Sequence, residues 1–96
     1  MAEIQVYISS ISSSQEIKKN QHRIRDILGD NFRGQLSSVT YIDIATDSKQ
    51  KDKMREIVGD PKALPPQICK GNEYLGDYMA FDNAVEDGDI KGFLKL

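Results

Sequence analysis

Two adjacent prolines, Pro65 and Pro66, stand directly before the run Gln67-Ile68-Cys69. Proline has no backbone N–H and a fixed φ, so the pair can open a strand but cannot sit inside a paired one. A strand therefore begins here, and the chain before it must supply its partners. Upstream, Ile4, Val6 and Ile8 alternate with Glu3, Gln5 and Tyr7, a period-2 pattern that predicts a first strand. From about Gln15 to Leu28, Ile17, Ile24, Ile27 and Leu28 fall on one helical face opposite charged residues. Ser14 is the expected N-cap, and Gly29 the expected left-handed terminator. Val39 to Ile44 is β-branched and aromatic and predicts a second strand. Thr46 or Asp47 caps a helix that reaches Val58, buries Met54, Ile57 and Val58, and stops at Gly59-Asp60-Pro61.

Beyond the prolines, Pro66 to Cys69 predicts a third short strand, and Lys70-Gly71-Asn72 a tight turn into Glu73-Tyr74-Leu75. Gly76 is expected to break that strand. Asp77 caps a third helix carrying Tyr78, Phe81, Ala84 and Val85. After Gly88, Asp89 caps a last helix with Ile90, Phe93, Leu94 and Leu96. The order βαβαββαα over residues 1–96 predicts a single α/β domain, a four-stranded mixed sheet with helices on both faces. That order, together with the proline opening the third strand, is the thioredoxin-like arrangement.

Bulk properties narrow the function. Ninety-six residues, 39% of them hydrophobic, suffice for one core. A net charge of −2 with interspersed signs gives no field for nucleic acid. Met1-Ala2-Glu3-Ile4 carries no basic region or long apolar run, so neither a signal peptide nor a membrane association is expected. One cysteine cannot close an intramolecular disulfide, which suits a reducing compartment. The expected location is the cytoplasm, with the nucleus as the second choice, and the expected state is a monomer. A lone cysteine and a lone histidine make no metal-ligand set.

Several blocks are more specific than the element order. Val6-Tyr7, the serine loop Ser9-Ser10-Ile11-Ser12-Ser13-Ser14, Glu16-Ile17-Lys18 and Asp43-Ile44 are among them. So are Met54-Arg55, Gly59 to Ala63, Pro65 to Ile68, Gly76-Asp77-Tyr78 and Phe93 to Leu96. Together they resemble the SH3-domain-binding glutamic-acid-rich-like proteins from about residue 4 to residue 96, as a short member without the acidic tail. The resemblance implies a glutaredoxin-like fold in a small, mainly cytosolic protein that generally lacks the cysteine motif.

Glutaredoxin chemistry needs a thiolate at the amino end of the first helix, where the dipole and free N–H groups lower its pKa. Laid on that pattern, the nucleophile position falls near Ser12 and the second cysteine near Gln15. Serine is a far weaker nucleophile without an activating base, and it has no thiol–disulfide cycle. His22 lies within the first helix and offers no evident geometry for activating Ser12. Cys69 belongs to a predicted strand remote from that helix end, where a packing role is expected. No catalytic residue is assigned.

The resemblance also implies a glutathione groove, much altered. The lysine position falls near Ser9. Pro66 matches the cis-proline, which puts Pro65 at the backbone-pairing position without an N–H to offer. One lost hydrogen bond of this kind costs on the order of 1 kcal/mol. Gly76-Asp77 matches the segment that holds the γ-glutamyl end, although Asp77 has a plain role as an N-cap. Lys62 offers a partial replacement charge. No cofactor is expected, and weak glutathione binding stays open.

The prolines do not form an SH3 ligand: Pro61, Pro65 and Pro66 are spaced four and one apart, so there is no Pro-x-x-Pro. Cys69 stands where the Pro-Pro-x-x-Phe pattern of EVH1 ligands needs phenylalanine. The expected function is thus a non-catalytic interaction or regulatory module for protein partners, SH3-domain proteins or redox proteins among them. The candidate contact surface is the vestigial groove: Ser9, Ser10, Ile11, Ser12, Ser13, Lys62, Pro65, Pro66, Gly76 and Asp77. The alternative is a glutathione-binding or glutathione-dependent thiol oxidoreductase that works through Cys69 or a partner's thiol.

Overall fold

The structure, a computed structural model, describes residues 3–11, 14–31 and 38–95. The elements run β1 (Glu3–Ile8), α1 (Gln15–Asn31), β2 (Ser38–Asp43), α2 (Ser48–Val58), β3 (Gln67–Lys70), β4 (Glu73–Asp77), α3 (Tyr78–Glu86) and α4 (Ile90–Phe93). This is the βαβαββαα order expected from the sequence.

The strands form one sheet in the order β2-β1-β3-β4. β1 and β2 are parallel, with Val6 opposite Tyr41, and a parallel pair needs a crossover, which α1 makes. β3 runs antiparallel to β1, with Val6 opposite Ile68, and β4 returns antiparallel to β3. Gly71 permits the tight turn between β3 and β4 because its φ of 64° lies in the left-handed region. The ladder of β3 starts at Gln67, one residue after Pro66, because proline cannot donate to it.

β1 is central and covered on both faces. Ile4 and Val6 pack with Ile24 and Leu28 of α1, Phe81 of α3 and Leu94 after α4. Tyr7, on the opposite face, packs with Met54 of α2, Ile44, Ala63 and Cys69. The alternation of β1 thus separates two cores rather than a core from solvent. Polar atoms of the strand consequently become buried: Gln5 Oε1 and Tyr7 Oη have no hydrogen-bond partner among the described residues.

Two glycines differ from expectation. α1 runs through Gly29 to Asn31, and Gly29 does not adopt a positive φ. β4 likewise continues through Gly76 to Asp77. What Gly76 provides is space: a Cβ there would lie 2.8 Å from Phe93 Cε1 and 2.8 Å from Ala80 Cβ. The pairing also shifts register between Ile68 and Cys69, so that Ile68 faces Gly76 and Cys69 faces Tyr74. That irregularity lets β4 bend into α3. At the other predicted helix starts, the Asp47 side chain accepts from Lys49 N, Asp77 from Ala80 N and Asp89 from Gly92 N. Each aspartate satisfies a free donor of its helix's first turn. Leu96 lies outside the described residues.

Candidate functional site

The segment from Gly59 to Pro66 crosses from α2 to β3 and forms one wall of a cleft. Gly59, at φ 81°, ends α2 and turns the chain. The Asp60 carboxylate then accepts from Lys62 N at 2.9 Å, and its carbonyl accepts from Ala63 N at 3.1 Å. Arg55 of α2 donates through Nε to the Ala63 carbonyl at 3.3 Å. On the other side, buried Gln67 donates through Nε2 to the Leu64 carbonyl at 2.7 Å, and Tyr74 of β4 donates to Gln67 Oε1 at 2.8 Å. The peptide bond between Pro65 and Pro66 is cis. The segment is therefore tied to α2 at one end and to the sheet at the other, although it has no secondary structure of its own.

Two adjoining hollows of about 300 and 560 Å³ lie along it and share Ile17, Ala63, Leu64 and Pro65. The smaller is completed by Ser9, Ile11, Ile44, Lys51 and Arg55. The larger extends past Lys62 and Pro66 to Asp77 and Met79, where β4 meets α3. Helix α2 presents Lys51, Arg55 and Val58 to the cleft at i, i+4 and i+7, one stripe of its surface. The described residues include three large apolar side chains that stand exposed: Ile11 at 77%, Leu64 at 60% and Met79 at 71%. All three border this cleft.

The residues singled out from the sequence separate into groups. Ser9, Ile11 and Pro65 come together in the smaller hollow, and Lys62, Pro65, Pro66 and Asp77 in the larger. Ser10 points elsewhere: its N–H and its hydroxyl both donate to the Asp43 carboxylate. Those bonds, the hydroxyl first and the N–H next, with a third from Ala45 N–H, hold the Asp43 carboxyl below the usual carboxylate range. Gly76 is buried beneath Phe93 and does not line the cleft. Ser12 and Ser13 lie outside the described residues. Gln21 fixes Ser9, accepting from its N–H at 2.8 Å and donating to its carbonyl at 3.1 Å.

Cys69 sits on the α2 face, fully buried with Tyr7, Ile44, Met54 and Ala63. It pairs with Gln5 of β1, four residues before Ser9 at the strand's exit, or roughly 13 Å at about 3.3 Å per residue. Burial pushes its thiol up to about 11. The described residues contain no group of three histidine, cysteine or acidic side chains suited to a metal ion, and no helix long and apolar enough to cross a membrane.

Lys51, Arg55, Leu64 and Met79 are absent from the contact surface expected from the sequence, although Met54-Arg55 is one of the blocks that carry the resemblance. The helical stripe containing Lys51 and Arg55 was readable, but α2 has a second stripe through Met54 and Ile57 that faces the sheet. Only the fold decides that the first faces a cleft.

The family model of the SH3-binding, glutamic acid-rich protein matches residues 2–96. The chain belongs to that family. Among its relatives, the SH3 domain-binding glutamic acid-rich protein homolog of Drosophila melanogaster is 36% identical over 107 residues, which cover 97% of this chain. The chain spans only 64% of that relative's length. Among solved structures, the C. albicans actin interacting protein Aip5 superposes with a TM-score of 0.72 at 17% identity, covering 97% of this chain and 88% of that one. A mutant of actin interacting protein 5 gives 0.71 at 17% identity, covering 97% and 87%. These likenesses establish the thioredoxin-like fold for this member of the SH3-binding, glutamic acid-rich family.

Proposed function

We propose that the chain is a non-catalytic protein-interaction module whose cleft receives a segment of a partner protein. One observation carries the reading: the exposed large apolar side chains Ile11, Leu64 and Met79 all border the same cleft. Apolar side chains gathered at one polar-rimmed place mark a contact surface, whereas scattered ones carry no such meaning. The family's name states SH3 binding, and in this chain SH3 domains would meet the folded surface, because Pro65 and Pro66 are buried and tied into the cleft wall. Redox proteins are a second partner class, since the fold is one that handles extended thiol-bearing segments. A cytoplasmic site of action belongs to the same proposal.

The rival, an oxidoreductase working through Cys69, has that residue's burial and raised pKa against it. A thiol near 11 holds about one part in ten thousand as thiolate at neutral pH. The deciding experiment compares proteins captured from cytosol by the parent chain and by the Leu64→Asp/Met79→Asp variant, with amide chemical-shift mapping of whatever is captured. Partners lost with the variant, and shifts along Ile11, Leu64 and Met79, are expected. Undiminished capture with shifts confined to another face would refute the cleft.

A further inference from the structure

The two hollows differ in charge. Among the described residues, Lys51 and Arg55 are the only charged side chains lining the smaller. The larger is lined, among the described residues, by three carboxylates, Glu16, Asp60 and Asp77, against one ammonium, Lys62. The shared middle, Ile17, Ala63, Leu64 and Pro65, is apolar. A cleft that is basic at one end, apolar at its centre and acidic at the other has a direction.

We infer that the cleft selects an extended peptide with an acidic side chain at one end, leucine-like side chains in the middle and a basic side chain at the other end. This rests on the reading of the cleft as a peptide-binding surface and adds the chemistry of the occupant. The acidic side chain meets Lys51 and Arg55, and the basic one meets Asp60 and Asp77. The apolar pair covers Leu64 and Pro65 between them. Charges at a rim contribute little affinity each, but a peptide with the same charge at both ends must bring like charges together at one of them, so discrimination exceeds attraction. Ser9 shares the hollow with Lys51 and Arg55, so α2 supplies positive charge at the position where the serine loop has none.

Three short labelled peptides of identical apolar core test it: glutamate at one end with lysine at the other, glutamate at both ends, and lysine at both ends. Fluorescence anisotropy at low salt is expected to show the mixed peptide binding about fivefold tighter than either like-charged one. Lys51→Glu, a surface change, is expected to remove the mixed peptide's advantage over the lysine peptide. Amide mapping runs alongside. If all three peptides shift the cleft amides and bind alike, the charge matching is overturned while the cleft stands. If none shifts any cleft amide, the reading of the cleft falls and the inference with it.

Discussion

Tyr74 donates its phenolic hydrogen to Oε1 of Gln67 at 2.8 Å, and through Gln67 it holds the Leu64 carbonyl that shapes the cleft. Gln67 is almost wholly buried, so its amide oxygen has no ready substitute partner. Tyr74→Phe leaves that acceptor unsatisfied while keeping the ring. The expected loss is about 1–2 kcal/mol of folding stability, read by urea unfolding. Amide shifts should extend through Gln67 to Leu64, with the α1–α3 face unchanged. A variant as stable as the parent, with Leu64 unmoved, would show that this chain of bonds does not hold the wall.

Cys69 gives a prediction at high pH. Its thiol titrates near 11 in the fold against an ordinary 9.0, because burial disfavours the thiolate. The neutral form is therefore favoured by folding. Its contribution is fully present below pH 9 and is lost as pH rises from 9 through about 11. The loss amounts to at most about 2–3 kcal/mol at roughly 1.4 kcal/mol per pH unit. Unfolding measured between pH 8 and pH 11.5 should show stability declining across that window. Cys69→Ala should lose about 1 kcal/mol at neutral pH through packing and decline less steeply above pH 9. Some decline will remain, because burial also raises the phenols of Tyr7 and Tyr74. Rapid alkylation of native Cys69 at pH 7 would contradict the buried placement.

Gly29 and Gly76 separate by opposite responses to the same substitution. A Cβ at Gly29 would meet nothing within 4 Å, and the residue is helical and exposed. Gly29→Ala should therefore stabilise the chain by about 0.5–1 kcal/mol. A Cβ at Gly76 would press into Phe93 and Ala80 at 2.8 Å. Gly76→Ala should cost about 1–3 kcal/mol through overpacking and disturb the edge contact of Phe93 with Phe81, whose ring centroids lie 6.0 Å apart. Thermal denaturation of the two variants, run side by side, checks both signs.

The same two glycines show where sequence reading stops. Both were assigned to chain-breaking because glycine commonly serves there, yet one lies within a helix and the other beneath an aromatic ring. Local pattern carries no information on what approaches from elsewhere in the chain. The order of elements was legible because hydrophobic period and aspartate caps are local signals, as at Asp47, Asp77 and Asp89. Of the cleft, Lys62, Pro65, Pro66 and Asp77 were legible through the family pattern. Lys51, Arg55 and Met79 were not, since a charged or apolar residue on a helix surface looks the same whether it faces solvent or a cleft. Ser10 was grouped with its loop, and only the partner brought up by β2, Asp43, shows that it serves the turn.

That Ser10–Asp43 contact fixes where the chain leaves β1 and so where Ser9 and Ile11 stand beside Lys51 and Arg55. The Asp43 carboxylate accepts from the Ser10 hydroxyl and N–H and from Ala45 N–H, and its pKa is lowered from 3.8. A carboxylate with a depressed folded pKa stabilises above its unfolded pKa, near 3.8, and loses that contribution as pH falls through the folded value. Ser10→Ala removes the largest of the three causes and leaves both backbone donors in place. The Asp43 carboxyl, followed by NMR titration, should then move up towards 3.8 without reaching it. At neutral pH the amides of Ser9 and Ile11 should shift, while those of Leu64 and Gln67, held from the sheet side, should not. An Asp43 titration identical in parent and variant would remove the hydroxyl from this account. Shifts spreading to Leu64 would mean that the two walls of the cleft are not held independently.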